Sequence, residues 1–331
     1  MTKTILLNKR PVGKPQLSDF KFVEENDPRI SGGEILLKTL YVSVDPYLRG
    51  RMNDAKSYIP PFELQKPIVS TLVAEVVDSN HDQFAKGDYV TGMLEWKEFQ
   101  TSNGEGLMKI DPDQAPLSAY LGILGLTGLT AYLALTQIGK PEAGETLVVS
   151  AAAGAVGSVA GQIGKIMGCR VVGIAGSDEK INLLTSEFGF DAGINYNTTQ
   201  KMSEAIAAVC PDGVDMYFDN VGGEISDSVM LNLNKFARVI VCGNISLYNE
   251  TSVPTGPRIA PLILKSSSTM QGFLVRNYTD KFPEAITQIA TWLQEKKLNY
   301  KETVVEGFDQ IPQAFLGLFE GKNTGKMIVK I

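Results

Sequence analysis

Histidine is almost missing from this chain: among 331 residues only His81 carries an imidazole. Imidazole is the commonest metal ligand and general base. A serine-hydrolase triad or a multi-histidine metal site would therefore need His81 itself, which stands in the polar stretch Asp78-Ser-Asn-His-Asp82 and reads as a surface turn. Cysteine is nearly as scarce. Cys169, Cys210 and Cys242 contain no CxxC pair and are too few for a disulfide framework, which points to a reducing compartment. Basic charge is in deficit as well, because 31 Lys+Arg against 37 Asp+Glu leave a formal charge of −6. That balance offers no basic field to nucleic acid or to an anionic membrane. No run approaches the roughly 18 apolar residues of a membrane span, and Ile5-Leu-Leu before Asn8, Lys9 and Arg10 is too short for a signal-peptide core. These absences predict a soluble, cytoplasmic protein without nucleic-acid or membrane partners.

What is present is an ordinary globular composition, 44% hydrophobic and 21% charged, and at about 150 residues per domain the length suits two domains. Up to about Leu117 the chain has short β-rich runs, from Ile35 to Tyr41, Ile68 to Val77 and Tyr89 to Met93, punctuated by Pro60-Pro61 and Gly87-Asp88. This predicts a partly closed β domain. An apolar, Gly-spaced helical pattern follows from Ala119 to Thr136, and from Thr146 the texture changes. Apolar runs such as Leu147-Val-Val-Ser150, Arg170-Val-Val-Gly-Ile174, Val214-Asp-Met-Tyr-Phe218 and Arg238-Val-Ile-Val241 alternate with amphipathic helical segments. Unpolarised strands in βα alternation predict a parallel sheet buried on both faces, so the fold class is α/β with a Rossmann-type doubly wound sheet.

The strand from Thr146 to Ser150 runs into Ala151-Ala-Ala-Gly154-Ala155-Val156-Gly157, a dinucleotide fingerprint with Ala152 in the first glycine slot. Gly154 lets the backbone approach a pyrophosphate, Gly157 lets helix and strand pack closely, and the anion would rest on the helix N-terminus. The bland alternative is that Gly157, Gly161 and Gly164 only mark a helix packed tightly on the sheet. In an NAD-selective site an acid about 20 residues further on accepts the ribose hydroxyls, and here Ser177 stands at that place in Gly176-Ser-Asp-Glu-Lys180. A small hydroxyl with Lys180 nearby suits a 2′-phosphate and points to NADPH. Ser177 would equally serve as a helix cap with Lys180 solvated, and Asp178 is an awkward neighbour for a phosphate. Two further strand ends, Phe218-Asp-Asn220-Val-Gly-Gly223 and Val241-Cys242-Gly243-Asn-Ile245-Ser246-Leu-Tyr248, carry loop-forming residues where ligands of open α/β sheets lie.

Together with Asp45-Pro-Tyr47-Leu-Arg49-Gly, Asn195-Tyr196 and Gly321-Lys-Asn323-Thr-Gly-Lys326, these motifs resemble the zinc-independent medium-chain dehydrogenase/reductases. The resemblance is to their prostaglandin reductase, leukotriene B4 12-hydroxydehydrogenase, alkenal double-bond reductase and curcumin reductase group, and it spans nearly the whole chain. It implies a GroES-like, partly closed β-barrel catalytic domain from residues 1–121 and 298–331, and an NADPH-binding Rossmann domain from residues 122–297. The implied cofactor contacts are Gly154, Ala155, Val156, Gly157, Ser177, Lys180, Tyr196, Asn220, Cys242, Gly243, Ile245, Ser246, Tyr248, Phe273, Leu274, Val275 and Asn323. The implied catalytic residues are Tyr248 and Tyr47, near the substrate. A homodimer is the implied assembly.

Zinc-containing relatives place Cys and His near positions where this chain has Ser43 and Ser70, so no metal site is expected. Without zinc or histidine to activate an alcohol, the chemistry expected is reduction of a polarised C=C in an enal or enone. A hydride would add at the β-carbon and Tyr248 would meet the enolate oxygen. A quinone reductase is the competing enzyme reading. An NADPH-binding structural or sensing protein without turnover is the competing reading of another class.

Overall fold

The computed structural model describes residues 1–331, which form two compact units. One consists of Met1–Gly122, Glu302–Asn323 and Met327–Ile331, the other of Ile123–Lys301 and Thr324–Lys326. No helix is long and apolar enough to cross a membrane.

In the first unit, strands β1 (Thr2–Leu7) and β2 (Phe20–Glu25) form an antiparallel pair. The next five are β3 (Ile35–Ser43), β4 (Val69–Ser79), β5 (Tyr89–Glu95), β6 (Phe99–Ser102) and β7 (Met108–Ile110). Helix α1 (Leu48–Arg51) follows β3 and is one turn long. Antiparallel pairing runs β3 to β4 to β5 to β7, with β6 also on β3. Their inward residues, among them Ile35, Leu37, Leu72, Val76, Val90 and the indole of Trp96, make one buried core. That is the alternating, one-face-buried pattern that antiparallel strands show.

Where the first unit passes into the second, the chain differs from the expected Ala119-to-Thr136 helix. The backbone turns tightly over Leu117–Leu121, breaks at Gly122 to Gly125, and becomes helical in α2 (Leu126–Leu133), which continues as a wider π-type helix through Ala134–Gly139. Two features accompany the break. Gly125 is extended (φ −114°, ψ −152°), and a side chain at Gly128 would collide with the Ile123 carbonyl. Strand β8 (Thr146–Ser150) then leads through α3 (Gly157–Ile166) to β9 (Arg170–Ala175), α4 (Asp178–Ser186) and β10 (Ala192–Asn195). Helix α5 (Met202–Val209) leads to β11 (Val214–Asp219), α6 (Gly223–Met230) and β12 (Leu233–Val241). Helix α7 (Ala260–Ser266), β13 (Thr269–Gly272) and α8 (Phe282–Gln294) complete it.

All six strands are parallel, in the order β10-β9-β8-β11-β12-β13. Every residue of β8 is buried, as a strand covered by helices on both faces requires. The order grows outward one way from β8 and the other way from β11, so the topological switch point lies between them. The chain then returns to the first unit as β14 (Glu302–Glu306), α9 (Ile311–Leu318) and β15 (Lys326–Lys330), with β15 antiparallel to β3. Residues Thr324–Lys326 belong with the second unit because the Gly325 N–H donates to the Ala153 carbonyl at 2.7 Å.

Candidate functional site

At the carboxyl end of β8 the chain reverses through residues 151–157 into α3. Ala151 has φ +47°, a left-handed conformation that costs a residue with a Cβ about 1 kcal/mol or more. A side chain at Gly157 would collide with the Ala151 carbonyl and come within 2.9 Å of the Ala152 Cα, so only glycine closes this turn. Gly161 and Gly164 serve packing instead. A side chain at Gly161 would come within 1.9 Å of the Phe190 ring and one at Gly164 within 2.6 Å of Leu147, so the two glycines seat α3 tightly against Phe190 and β8. The packing reading accounts for Gly161 and Gly164, whereas Gly157 is required by the turn itself. Of the first amides of α3, that of Ser158 donates to the Gly154 carbonyl at 3.1 Å, and the helix start stands at the switch point with the helix dipole behind it.

The second strand end at this point is organised by Asp219, which the sequence did not single out. Its side chain is 1% exposed. Oδ1 accepts from Tyr217 Oη at 2.8 Å, Ser150 Oγ at 3.2 Å, and the N–H groups of Val221 and Gly222 at 3.0 and 2.9 Å. Its carbonyl accepts from the Cys242 and Gly243 amides at 2.8 and 3.0 Å. One residue on, Asn220 donates from its backbone to Ser150 Oγ at 2.9 Å and from Nδ2 to the Ser150 carbonyl at 2.8 Å. Four charge-assisted or buried hydrogen bonds to one carboxylate make a rigid knot, and it ties the ends of β8, β11 and β12 together.

The loop after β12 folds back over this knot. Ser246 Oγ donates to the Val221 carbonyl at 2.6 Å, and the Ile245 and Ser246 amides donate to the Asn220 and Val221 carbonyls at 3.3 and 3.1 Å. Tyr248 Oη accepts from the Asn244 N–H at 3.3 Å. A Cβ on Gly243 would stand 3.2 Å from the Asn220 carbonyl and 3.4 Å from Tyr248 Oη. The Cys242 thiol is pushed up to about 12, by burial first and the Asp219 carboxylate second, so it stays protonated and is no thiolate nucleophile.

Beyond the end of β9 the helix-cap role of Ser177 is visible. Ser177 is the N-cap of α4, its hydroxyl accepting from the Lys180 N–H at 3.3 Å. The Lys180 side chain is half-buried, and burial lowers its ammonium pKa. Tyr196 is 40% exposed and packs its hydroxyl on Gly176, where a Cβ would be 2.6 Å away. Phe273 is different. Its ring is 4% exposed and stacks on Tyr278 at 5.2 Å, so only its backbone could meet a ligand. Leu274 and Val275 are partly exposed just beyond it.

Tyr47 and Asn323 belong to the first unit. Burial raises the Tyr47 phenol pKa, with the Asp45 carboxylate adding to it, so the phenol remains neutral. Near it, Ser43 Oγ donates to Asp45, Ser70 Oγ donates to the Ser43 carbonyl at 2.8 Å, and the Trp96 indole N–H donates to Ser70 Oγ at 2.8 Å. The hydroxyls at the two zinc-ligand positions are thus consumed by a buried relay. His81 lies in a turn, its Nδ1 accepting from the Gln83 N–H at 3.0 Å. Nowhere do three His, Cys, Asp or Glu side chains converge, so the donor set does not fit a catalytic zinc. The residues at the switch point do fit a dinucleotide: a turn too tight for a Cβ at Gly157, a helix start with its dipole behind it, and a small hydroxyl, Ser177, in the turn after β9.

A family model described as the N-terminal domain of oxidoreductase matches residues 3–110, and one described as zinc-binding dehydrogenase matches residues 155–291. The chain is 56% identical to a Bacillus subtilis (strain 168) protein, YfmJ, provisionally named an NADP-dependent oxidoreductase, over 99% of this chain and 97% of the relative. It is 41% identical to the NADPH-dependent curcumin reductase of Escherichia coli (strain K12), over 98% and 96%. It is 40% identical to the NADP(+)-dependent 2-alkenal reductase of Nicotiana tabacum, over 99% and 97%. The crystal structure of CurA from Vibrio vulnificus in complex with NADPH matches with a TM-score of 0.94 at 43% identity, covering 99% of this chain and 98% of that one.

Proposed function

The chain belongs to the medium-chain dehydrogenase/reductase family, in the group of the curcumin, prostaglandin and alkenal reductases, and we propose that it reduces the C=C bond of α,β-unsaturated aldehydes or ketones with NADPH. It is an NADP-dependent oxidoreductase. The observation that carries the reading is the pair of strand ends at the switch point. A tight turn closed by Gly157 opens α3, and after β9 come Ser177, the N-cap of α4, and Lys180 in its first turn, where an NAD-selective site has an acid.

When bound, NADPH supplies the hydride that adds to the β-carbon of the substrate. The residues assigned to hold it are Gly154, Ala155, Val156 and Gly157 at the pyrophosphate, Ser177, Lys180 and Tyr196 at the 2′-phosphate, and Asn220 with residues 242–248 at the ribose and nicotinamide. Leu274, Val275 and the backbone of Phe273 are assigned to the same cofactor, as is Asn323. Tyr248 is assigned to the carbonyl oxygen. A phenol that accepts from a backbone amide, as Tyr248 does from Asn244, is polarised toward donating its own proton. Such a donor stabilises the charge that develops on an enolate oxygen. Tyr47, kept neutral by burial, is assigned to substrate contact.

The reading takes the protein as a cytoplasmic homodimer. Three unpaired cysteines support the reducing compartment, and the open edge of β13 supports association. The test is NADPH oxidation by the purified protein over short enals, long oxo-lipids, phenylpropenoid enones and quinones, with product analysis. The saturated carbonyl is expected. An allylic alcohol, or turnover of quinones alone, would overturn the reading.

A further inference from the structure

The acid nearest the end of β9 is Asp178, the first residue of α4. A mobile carboxylate there would repel a 2′-phosphate and would be free to accept from a ribose 2′-hydroxyl, the task of the acid in NAD-selective sites. The structure shows that this carboxylate is held. Asn195, the last residue of β10 and the register partner of Ala175, donates from Nδ2 to Asp178 Oδ1 at 2.8 Å.

The orientation of that amide is itself determined. Asn195 Oδ1 accepts from the Asn197 N–H at 3.0 Å, which leaves Nδ2 as the group facing Asp178. Asn197 in turn donates from its own Nδ2 to the Gly176 carbonyl at 2.7 Å. Tyr196, between them, rests its hydroxyl against Gly176. Three consecutive residues at the end of β10 therefore grip residues 176 and 178, on either side of Ser177, whose hydroxyl caps the helix.

We propose that Asn195 is a specificity-determining residue: by holding the Asp178 carboxylate on the β10 side of the turn, it selects the 2′-phosphate of NADPH against the 2′-hydroxyl of NADH. The inference rests on the nucleotide reading given above and assigns to Asn195 a role separate from any contact with the cofactor. Asn195 is a positioning residue and acts through Asp178.

The experiment is direct nucleotide binding, by calorimetry or by quenching of tryptophan fluorescence, to the wild type, Asn195→Ala, Asp178→Asn and the double variant. Releasing an exposed carboxylate near a phosphate in high dielectric is expected to weaken NADPH by about fivefold. NADH affinity should stay the same or rise. Asp178→Asn should bind NADPH at least as well as the wild type, and adding it to Asn195→Ala should restore NADPH binding, since the released charge is gone. A double variant as weak as Asn195→Ala, or equal losses for both nucleotides, would mean that Asn195 only braces the turn, and would overturn the inference while leaving the functional reading intact. A wild-type protein that binds neither nucleotide would overturn that reading and the inference with it.

Discussion

The backbone amide of Asn244 donates to the phenol oxygen of Tyr248 four residues later, at 3.3 Å, so the loop after β12 presents its own tyrosine at a height set by the backbone. Tyr248→Phe keeps the ring and removes that acceptor and the proton it polarises. Loss of one oxyanion donor costs roughly 2.7 to 4 kcal/mol where no other donor remains. The ribose hydroxyl of the cofactor would remain here, so the expected fall in turnover is about tenfold with NADPH affinity nearly unchanged. Steady-state kinetics with an enone, alongside nucleotide titration, checks it. Wild-type turnover would return Tyr248 to a loop residue.

Lys180→Ala should separate the two nicotinamide cofactors. A charge-assisted bond to a phosphate is worth about 1.5 to 3 kcal/mol, or about ten- to a hundredfold in NADPH affinity. NADH should be little affected. Burial lowers the Lys180 ammonium pKa, so in the wild type the preference for NADPH should decline as pH rises into the alkaline range, earlier than for a fully solvated lysine. Equal losses of both nucleotides would confine Lys180 to supporting α4.

Two glycines of the same turn should behave differently. A Cβ at Gly154 would stand 3.2 Å from the Ala151 carbonyl, a tight contact that a small shift relieves, whereas one at Gly157 would collide with that carbonyl and with Ala152. Gly157→Ala is expected to cost about 1 to 3 kcal/mol of stability, as overpacking does, and to abolish measurable NADPH binding. Gly154→Ala should leave the melting temperature within about 2 °C of the wild type and act mainly on NADPH affinity. Thermal denaturation and titration of both variants would check this, and equal melting temperatures would refute the assignment of Gly157 to the turn.

Arg238 grips Glu145 with two hydrogen bonds of 2.7 and 2.5 Å and also donates to the Gly139 carbonyl at 2.8 Å. Its guanidinium, first through these bonds, holds the Glu145 carboxyl below its ordinary 4.5. A carboxyl with a depressed folded-state pKa stabilises the protein above its unfolded-state value, and that stability is lost as pH falls through the folded-state value. Arg238→Met should therefore lose about 1.5 to 3 kcal/mol near neutral pH and show a shallower further loss below about pH 4.5 than the wild type. Denaturant unfolding across that range measures both. Parallel acid limbs would show that the pair does not couple to folding.

The buried strand from Thr146 to Ser150, the tight entry into α3, Ser177 in place of an acid, and serines where zinc ligands would stand were all legible in the chain. Each depends on residues within one turn or one strand, where propensity, sterics and side-chain chemistry act locally. Where local pattern failed, as in the expected helix from Ala119 to Thr136, the break is accompanied by an extended Gly125 and the close approach of Gly128 to the Ile123 carbonyl, which a hydrophobic period does not encode. The grip of Asp219 and Asn220 on Ser150 spans about seventy positions of sequence, and that of Asn195 on Asp178 spans 17. Those contacts exist because β8 lies beside β11 and β9 beside β10. Strand order is decided when helices and sheet bury their apolar faces together. Until then a buried carboxylate such as Asp219 reads as one more polar residue at the end of a strand.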